Sequence, residues 1–367
     1  MRPSALGGYE DWPDFVRDAS PLTGDELTTR VAALLGVPEP PQRPAVRTVG
    51  EWLADGVHGS ELEWSTGFGP PTRAWLLRPA DAPLGPGLLG LHCHAGVKSI
   101  GAERMVDTPR PSTRALGVRA DLYEDRAVAN ELARAGFVVL CHDTFAWGSR
   151  RFGFDPLPRG LRDLMAAYEA AWLAADHSPD DDEWYDVAAV HHEHTIAKAA
   201  GILGTSFAGM VAYDDLVALS VLRGVDEVDD VGVFGFSGGG ARAAALTALD
   251  PGIRASAVVC MMTTFEALVP AYVDAHSWLF TTPGLARELD HPTLTAGRGR
   301  HHQLVVCAED DELFPSRGMV AADRELTELF LDGPGSYTGT FLPGPHRFDR
   351  EMQDLVKNFF TERLLPA

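Results

Sequence analysis

The chain is 367 residues long, 45% hydrophobic and 23% charged, which excludes a disordered polymer and leaves room for one large domain or two smaller ones. Its 52 acidic against 31 basic residues give a formal net charge of −21. That balance argues against nucleic acid and anionic membrane surfaces as partners, because binding to either begins with neutralising phosphates or headgroups.

In chain order, the N-terminal stretch MRPSALGGYEDWPDF has no basic segment leading into an apolar one. No uninterrupted run of about 18 apolar residues occurs anywhere. A soluble cytoplasmic protein that does not engage a membrane is therefore expected. Residues 1–45 read as an extension: an amphipathic helix from Asp25 to Leu35, opened by Thr23-Gly24-Asp25, then a proline-rich joint from Pro38 to Pro44. Its role is either to cover an edge or to mediate assembly, for instance as a homodimer. Two β segments follow, Glu61 to Thr66 and Arg73 to Arg78, as a hairpin about the turn residues 67–71.

Short, continuously apolar runs then alternate with helical stretches. Gly87 to His92, Phe137 to Cys141, Val231 to Phe236, Ala255 to Cys260 and Leu304 to Cys307 lack polar alternation, as parallel strands covered on both faces do. Helices are expected near 121–135, 210–222, 240–249, 317–331 and 348–364. The pattern predicts an α/β sandwich with a mostly parallel central sheet flanked by helices. A long insertion at about 155–204, two helical patterns split by Asp180-Asp181-Asp182-Glu183, is expected to form a helical, lid-like element. The four cysteines, Cys93, Cys141, Cys260 and Cys307, stand singly without CxxC spacing and read as buried thiols.

The sharpest motif is Gly235-Phe236-Ser237-Gly238-Gly239, between an apolar strand and a helix. Small flanking residues allow a chain reversal so tight that the serine hydroxyl is lifted above the sheet, and the Gly238 amide at the helix start can stabilise negative charge. A serine needs a base, and the base needs an acid to orient it. The acidic turn Glu309-Asp310-Asp311 follows a strand, and His346 follows the last predicted strand, so the order serine, acid, histidine is met. His301 and His302 precede a strand and fall at the opposite sheet edge. A second oxyanion donor is expected from the loop after Gly87 to His92, within Cys93, His94 and Ala95.

From about Arg73 onward these residues resemble the α/β-hydrolase superfamily, in its dienelactone hydrolase and acetylxylan-esterase-like branch. The family's His-Gly-His-Gly-Gly oxyanion loop has its counterpart in His92-Cys93-His94-Ala95-Gly96, with Cys93 and Ala95 replacing glycines. Its Asp, hydrophobic pair and Pro are matched by Asp311-Glu312-Leu313-Phe314-Pro315, which selects Asp311 as the acid. His142 to Arg150 resembles a family loop ending in Gly-x-Arg, which implies that it organises the site's surroundings, and Trp147 and Arg150 within it are candidate substrate-binding residues. The resemblance implies an α/β-hydrolase catalytic domain over 46–367.

Trp184 of the insertion and Trp278 of the following segment are candidates to line an acyl site. The negative field disfavours polyanionic substrates unless local bases such as Lys98 and Arg150 counter it near the mouth. His191-His192-Glu193-His194 looks like a metal cluster, but its crowded spacing and missing third partner argue against zinc. The acidic run at 180–183 lacks a calcium-loop pattern and reads as a solvated turn. No metal or cofactor is expected.

The reading is a serine esterase acting on a small-molecule carboxylic ester through Ser237, His346 and Asp311. Alternatives are the same triad cleaving a C–C bond, thioester or amide or transferring the acyl group, and a non-catalytic ligand-binding homologue.

Overall fold

The computed structural model describes residues 2–16, 26–39, 43–80, 85–226 and 228–365. The expected helix opening Thr23-Gly24-Asp25 and residues 40–42 of the proline-rich joint lie outside this set. The first elements are α1 (Trp12–Val16), α2 (Leu27–Leu35), β1 (Arg47–Ala54), β2 (Val57–Trp64), β3 (Thr72–Pro79) and β4 (Gly87–Leu91). Next come α3 (Thr113–Tyr123), α4 (Val128–Arg134), β5 (Val138–His142), α5 (Arg159–Ala174), α6 (Asp181–Leu203) and α7 (Phe207–Leu222). Then follow β6 (Val231–Phe236), α8 (Gly238–Leu249), β7 (Ile253–Val259), α9 (Phe265–Leu268) and α10 (His291–Ala296). The last four are β8 (His302–Ala308), α11 (Ser316–Phe330), β9 (Ser336–Leu342) and α12 (Arg350–Leu364).

One sheet runs in the order β1-β2-β3-β5-β4-β6-β7-β8-β9. The pairs from β1 to β5 are antiparallel, and every pair from β5 to β9 is parallel. Side-chain alternation feeds two cores. Leu88, Leu304 and Val306 point to a face covered by α3, α4 and α12, while Leu89, Val305 and Cys307 point to one covered by α7, α8, α10 and α11.

Sequence and structure part at several elements. Strand β1 was not foreseen: its side chains are almost all exposed, so it lacks an apolar signature, and it joins β2 through Asp55-Gly56, both at positive φ (48° and 74°). The single helix foreseen near 121–135 is two, broken where Glu124 and Asp125 adopt left-handed φ of 51° and 60°. Tertiary bonds satisfy that break: Phe348 N–H donates to the Leu122 carbonyl at 2.9 Å and Gln353 Nε2 to that of Tyr123 at 2.9 Å. The acidic run at 180–183 is not a solvated turn but the start of α6, with the Asp180 side chain accepting from the Glu183 amide at 2.8 Å.

Helix α2 buries Leu27, Val31 and Leu35 against residues of α7 and α8 rather than against a sheet edge. Beneath the sheet's centre, Arg242 of α8 reaches Asp215 of α7 through two bonds, at 3.0 and 2.6 Å, and donates to the His92 carbonyl at 3.2 Å. His142 Nε2 meets the same carboxylate at 3.0 Å. Burial opposes the Asp215 charge, yet Arg242 and His142 outweigh it and hold the carboxyl below its ordinary value. Asp215→Ala strands a buried guanidinium, so denaturant unfolding should register a loss of about 3–5 kcal/mol.

Candidate active site

The parallel strands deliver their carboxyl ends to one edge, where sheets of this kind place ligands. Register aligns Leu91 of β4 with Gly235 of β6, bringing the loop after β4 beside the turn between β6 and α8. At that turn Ser237 has φ 55° and ψ −125°, a conformation rarely adopted by residues other than glycine. Its amide donates to the Val259 carbonyl at 2.8 Å and its own carbonyl accepts from Gly240 at 2.7 Å. The glycines are required by close approach. A Cβ on Gly235 would lie 2.1 Å from the Gly239 carbonyl oxygen, and one on Gly239 would lie 1.9 Å from that of Leu91.

His346 and Asp311 arrive from the ends of β9 and β8. His346 Nε2 is 2.9 Å from Ser237 Oγ, and Nδ1 is 2.6 Å from Asp311 Oδ2. The other Asp311 oxygen accepts from the Leu313 amide at 2.9 Å. Asp310, a rival for the acid role, instead braces the histidine loop: its carboxylate accepts from Gly344 N–H at 3.2 Å and its amide donates to the Gly344 carbonyl at 3.0 Å. Arg347 adds a bond from Nε to the Asp121 carbonyl at 2.9 Å, so the broken end of α3 also holds this loop. The arrangement can pass the Ser237 proton to His346 while Asp311 fixes the imidazole tautomer.

Gly238 opens α8, so its amide has no acceptor within the helix. A Cβ there would sit 3.0 Å from both the main-chain nitrogen and the Cβ of His94, so His94 is the residue of the early loop that meets Gly238. The Cys93 side chain turns away into the core, where Tyr123 Oη donates to its sulfur at 3.2 Å. Ala95 is exposed, with φ 56°.

A cavity of about 500 Å³ opens over Ser237, walled by residues that include Trp278, Phe280, Phe314, His276 and Leu279. Trp278 is thus at the site, its Nε1 donating to His194 Nδ1 at 2.9 Å. The other three tryptophan and arginine candidates are not. Arg150 is buried and spends its guanidinium on Asp214 at 3.0 Å and on the carbonyl of Phe68 at 2.7 Å. Trp147 is buried behind His94, ring against ring at 5.2 Å. Trp184 packs between α5 and α6 and donates to Glu169 at 2.9 Å. Lys98 is not at the mouth: it is 1% exposed, with its ammonium 4.0 Å from the Trp147 ring centre and 2.6 Å from Glu193 Oε1.

Glu193 is the residue that sequence reasoning missed. It lines the cavity and also contacts His94 Nε2 at 2.7 Å through the oxygen that binds Lys98. Its only signal was membership of the His191–His194 run, whose histidines diverge: His191 bonds Tyr168 at 2.8 Å and His194 bonds Trp278.

Among solved structures, a methylesterase matches with a TM-score of 0.57 at 19% identity over 92% of this chain, which spans 61% of that protein's length. A candidate acetyl xylan esterase from Bacteroides fragilis gives 0.62 at 13% identity, covering 93% of this chain and 81% of the other. A glucuronoyl esterase from Solibacter usitatus gives 0.56 at 14% identity, covering 92% and 91%. No protein-family model and no curated protein matches the chain. At these identities the likeness is one of architecture: the chain has the α/β-hydrolase fold.

Burial works against the Glu193 charge, but the His94 imidazole and Lys98 ammonium outweigh it and bring the carboxyl from 4.5 down to about 2. A pKa lowered on folding stabilises above the unfolded value and loses its effect as pH falls through the folded one. Thermal melts of wild type and Glu193→Gln should therefore differ most above pH 4.5 and converge as pH falls toward about 2.

Proposed function

We propose that the chain is a serine hydrolase that cleaves a neutral carboxylic ester of a small molecule. One observation carries the reading: Ser237 Oγ, held at φ 55°, lies 2.9 Å from His346 Nε2, whose other nitrogen lies 2.6 Å from Asp311. Ser237 Oγ attacks the acyl carbon and gives its proton to His346 Nε2. Asp311 keeps Nδ1 protonated and stabilises the imidazolium. The oxyanion forms beside the amides of Gly238 and His94, at the positive end of α8. Collapse breaks the bond to the alcohol oxygen, which leaves with the proton from His346. A water, deprotonated by the same nitrogen, then releases the acid and restores the serine.

Two features favour an ester, and a neutral one. The matched structures carry esterase names. Among the described residues lining the cavity there is no lysine or arginine, while Glu193 and Asp274 are present. A carboxylate on the substrate meets no lysine or arginine among these described residues, and the overall charge of −21 opposes its approach.

Ser237→Ala is expected to abolish turnover of p-nitrophenyl acetate and labelling by a fluorophosphonate; full activity in that variant refutes the reading. Asp311→Asn should lower kcat by about 10⁴-fold. A neutral propionyl ester should exceed the hemisuccinate of the same alcohol in kcat/KM by at least about tenfold, because desolvating an unpaired carboxylate costs more than the ~1.4 kcal/mol that a factor of ten represents.

A further inference from the structure

The loop after β4 carries unusual backbone where the oxyanion would form. Ala95 and Gly96 both have positive φ, 56° and 66°, and at Ala95 a side chain makes that conformation unfavourable. Something must hold it. Helix α6 does so at two points on one face, seven residues apart. Asp186 accepts from the amides of Lys98 and Ser99, both at 2.7 Å, and from Arg114 Nη2 at 2.6 Å. Glu193 reaches the side chain of His94 at 2.7 Å.

The His94 ring is specified at both nitrogens. Gly96 N–H donates to Nδ1 at 2.9 Å, so Nδ1 is the acceptor and Nε2 carries the proton given to Glu193 Oε1. A ring fixed this way ties α6 to the main chain of residues 94–96, and the His94 nitrogen stands 3.0 Å from where a Gly238 Cβ would be. Lys98 shares the same carboxylate oxygen at 2.6 Å and keeps the carboxyl group charged inside the protein.

We propose that Glu193 is the positioning residue of the oxyanion site: its carboxylate holds the His94 imidazole and thereby sets the His94 amide beside that of Gly238. The proposal rests on the serine hydrolase reading above. Glu193 acts through His94 and takes no part in bond making. An acceptor on the inner face of α6 is what the site requires, and the negative charge serves Lys98.

The test separates these two roles. In Lys98→Met/Glu193→Leu the buried pair becomes apolar, a replacement that buried ion pairs often tolerate, and the acceptor is lost. Lys98→Met/Glu193→Gln also removes the ammonium but keeps an amide oxygen facing His94. With p-nitrophenyl acetate, the Leu pair is expected to lose about 10²-fold in kcat at a KM close to wild type, and the Gln pair to recover most of that loss. His94→Ala, which leaves Lys98 and Glu193 together, should show the same loss in kcat. Wild-type kcat in either the Leu pair or His94→Ala overturns the proposal, as does equal impairment of the Leu and Gln pairs at equal thermal stability. Ser237→Ala is measured alongside. If it is inactive while the Leu pair is fully active, the positioning role alone fails; if it is active, the hydrolase reading fails and takes this role with it.

Discussion

Everything at the site depends on how near helix α8 comes to the strands beneath it. The Gly239 position, where an added Cβ would stand 1.9 Å from the Leu91 carbonyl oxygen, and the Gly235 position, where one would stand 2.1 Å from that of Gly239, admit no side chain. That contact forces the strand-to-helix turn to close within one residue, which places Ser237 at its positive φ and points the start of α8 at the cavity. It also brings Gly238 against His94, so one packing constraint sets both the proposed nucleophile and the proposed donors beside it. Arg242, one turn into the same helix, locks the approach from below through Asp215 and the His92 carbonyl.

Four buried carboxylates and their basic partners form a scaffold behind that edge. Arg150 with Asp214, Arg242 with Asp215, Lys98 with Glu193 and Arg114 with Asp186 each tie a helix to a loop at the carboxyl ends of the strands or to a neighbouring helix. Loops there cannot be held by apolar burial alone, because they must present backbone groups to a cavity. Ion pairs supply position where packing cannot, and one partner left alone in such a place is costly.

This explains which features were legible in the sequence. The parallel strands were, since a strand covered on both faces is apolar throughout, and Val231–Phe236 was placed to the residue. The order of Ser237, Asp311 and His346 was legible because each follows a strand that ends at the same edge. Strand β1 was not, because an exposed edge strand has no apolar code. Nor was the break between α3 and α4, which is stabilised by residues 347–353, more than two hundred positions away. The positions of Lys98 and Arg150 were not legible for the same reason. A basic residue in a loop looks solvent-facing until its acid is known, and Glu193 and Asp214 come from later helices. Glu193 itself stands in a His-rich run, His191 to His194, that resembles a metal cluster and carries no mark of the His94 contact.

The cavity wall without a lysine or arginine bears on more than what enters. In the proposed reaction a neutral ester is consumed and a carboxylic acid, ionised at neutral pH, is made in its place. The product therefore meets Glu193 and Asp274 with no cation among the described lining residues to retain it, in a chain of net charge −21. Hydrolysis turns a tolerated occupant into a repelled one, so the charge on the leaving acid itself drives the site to empty, and accumulating acid competes weakly for re-entry.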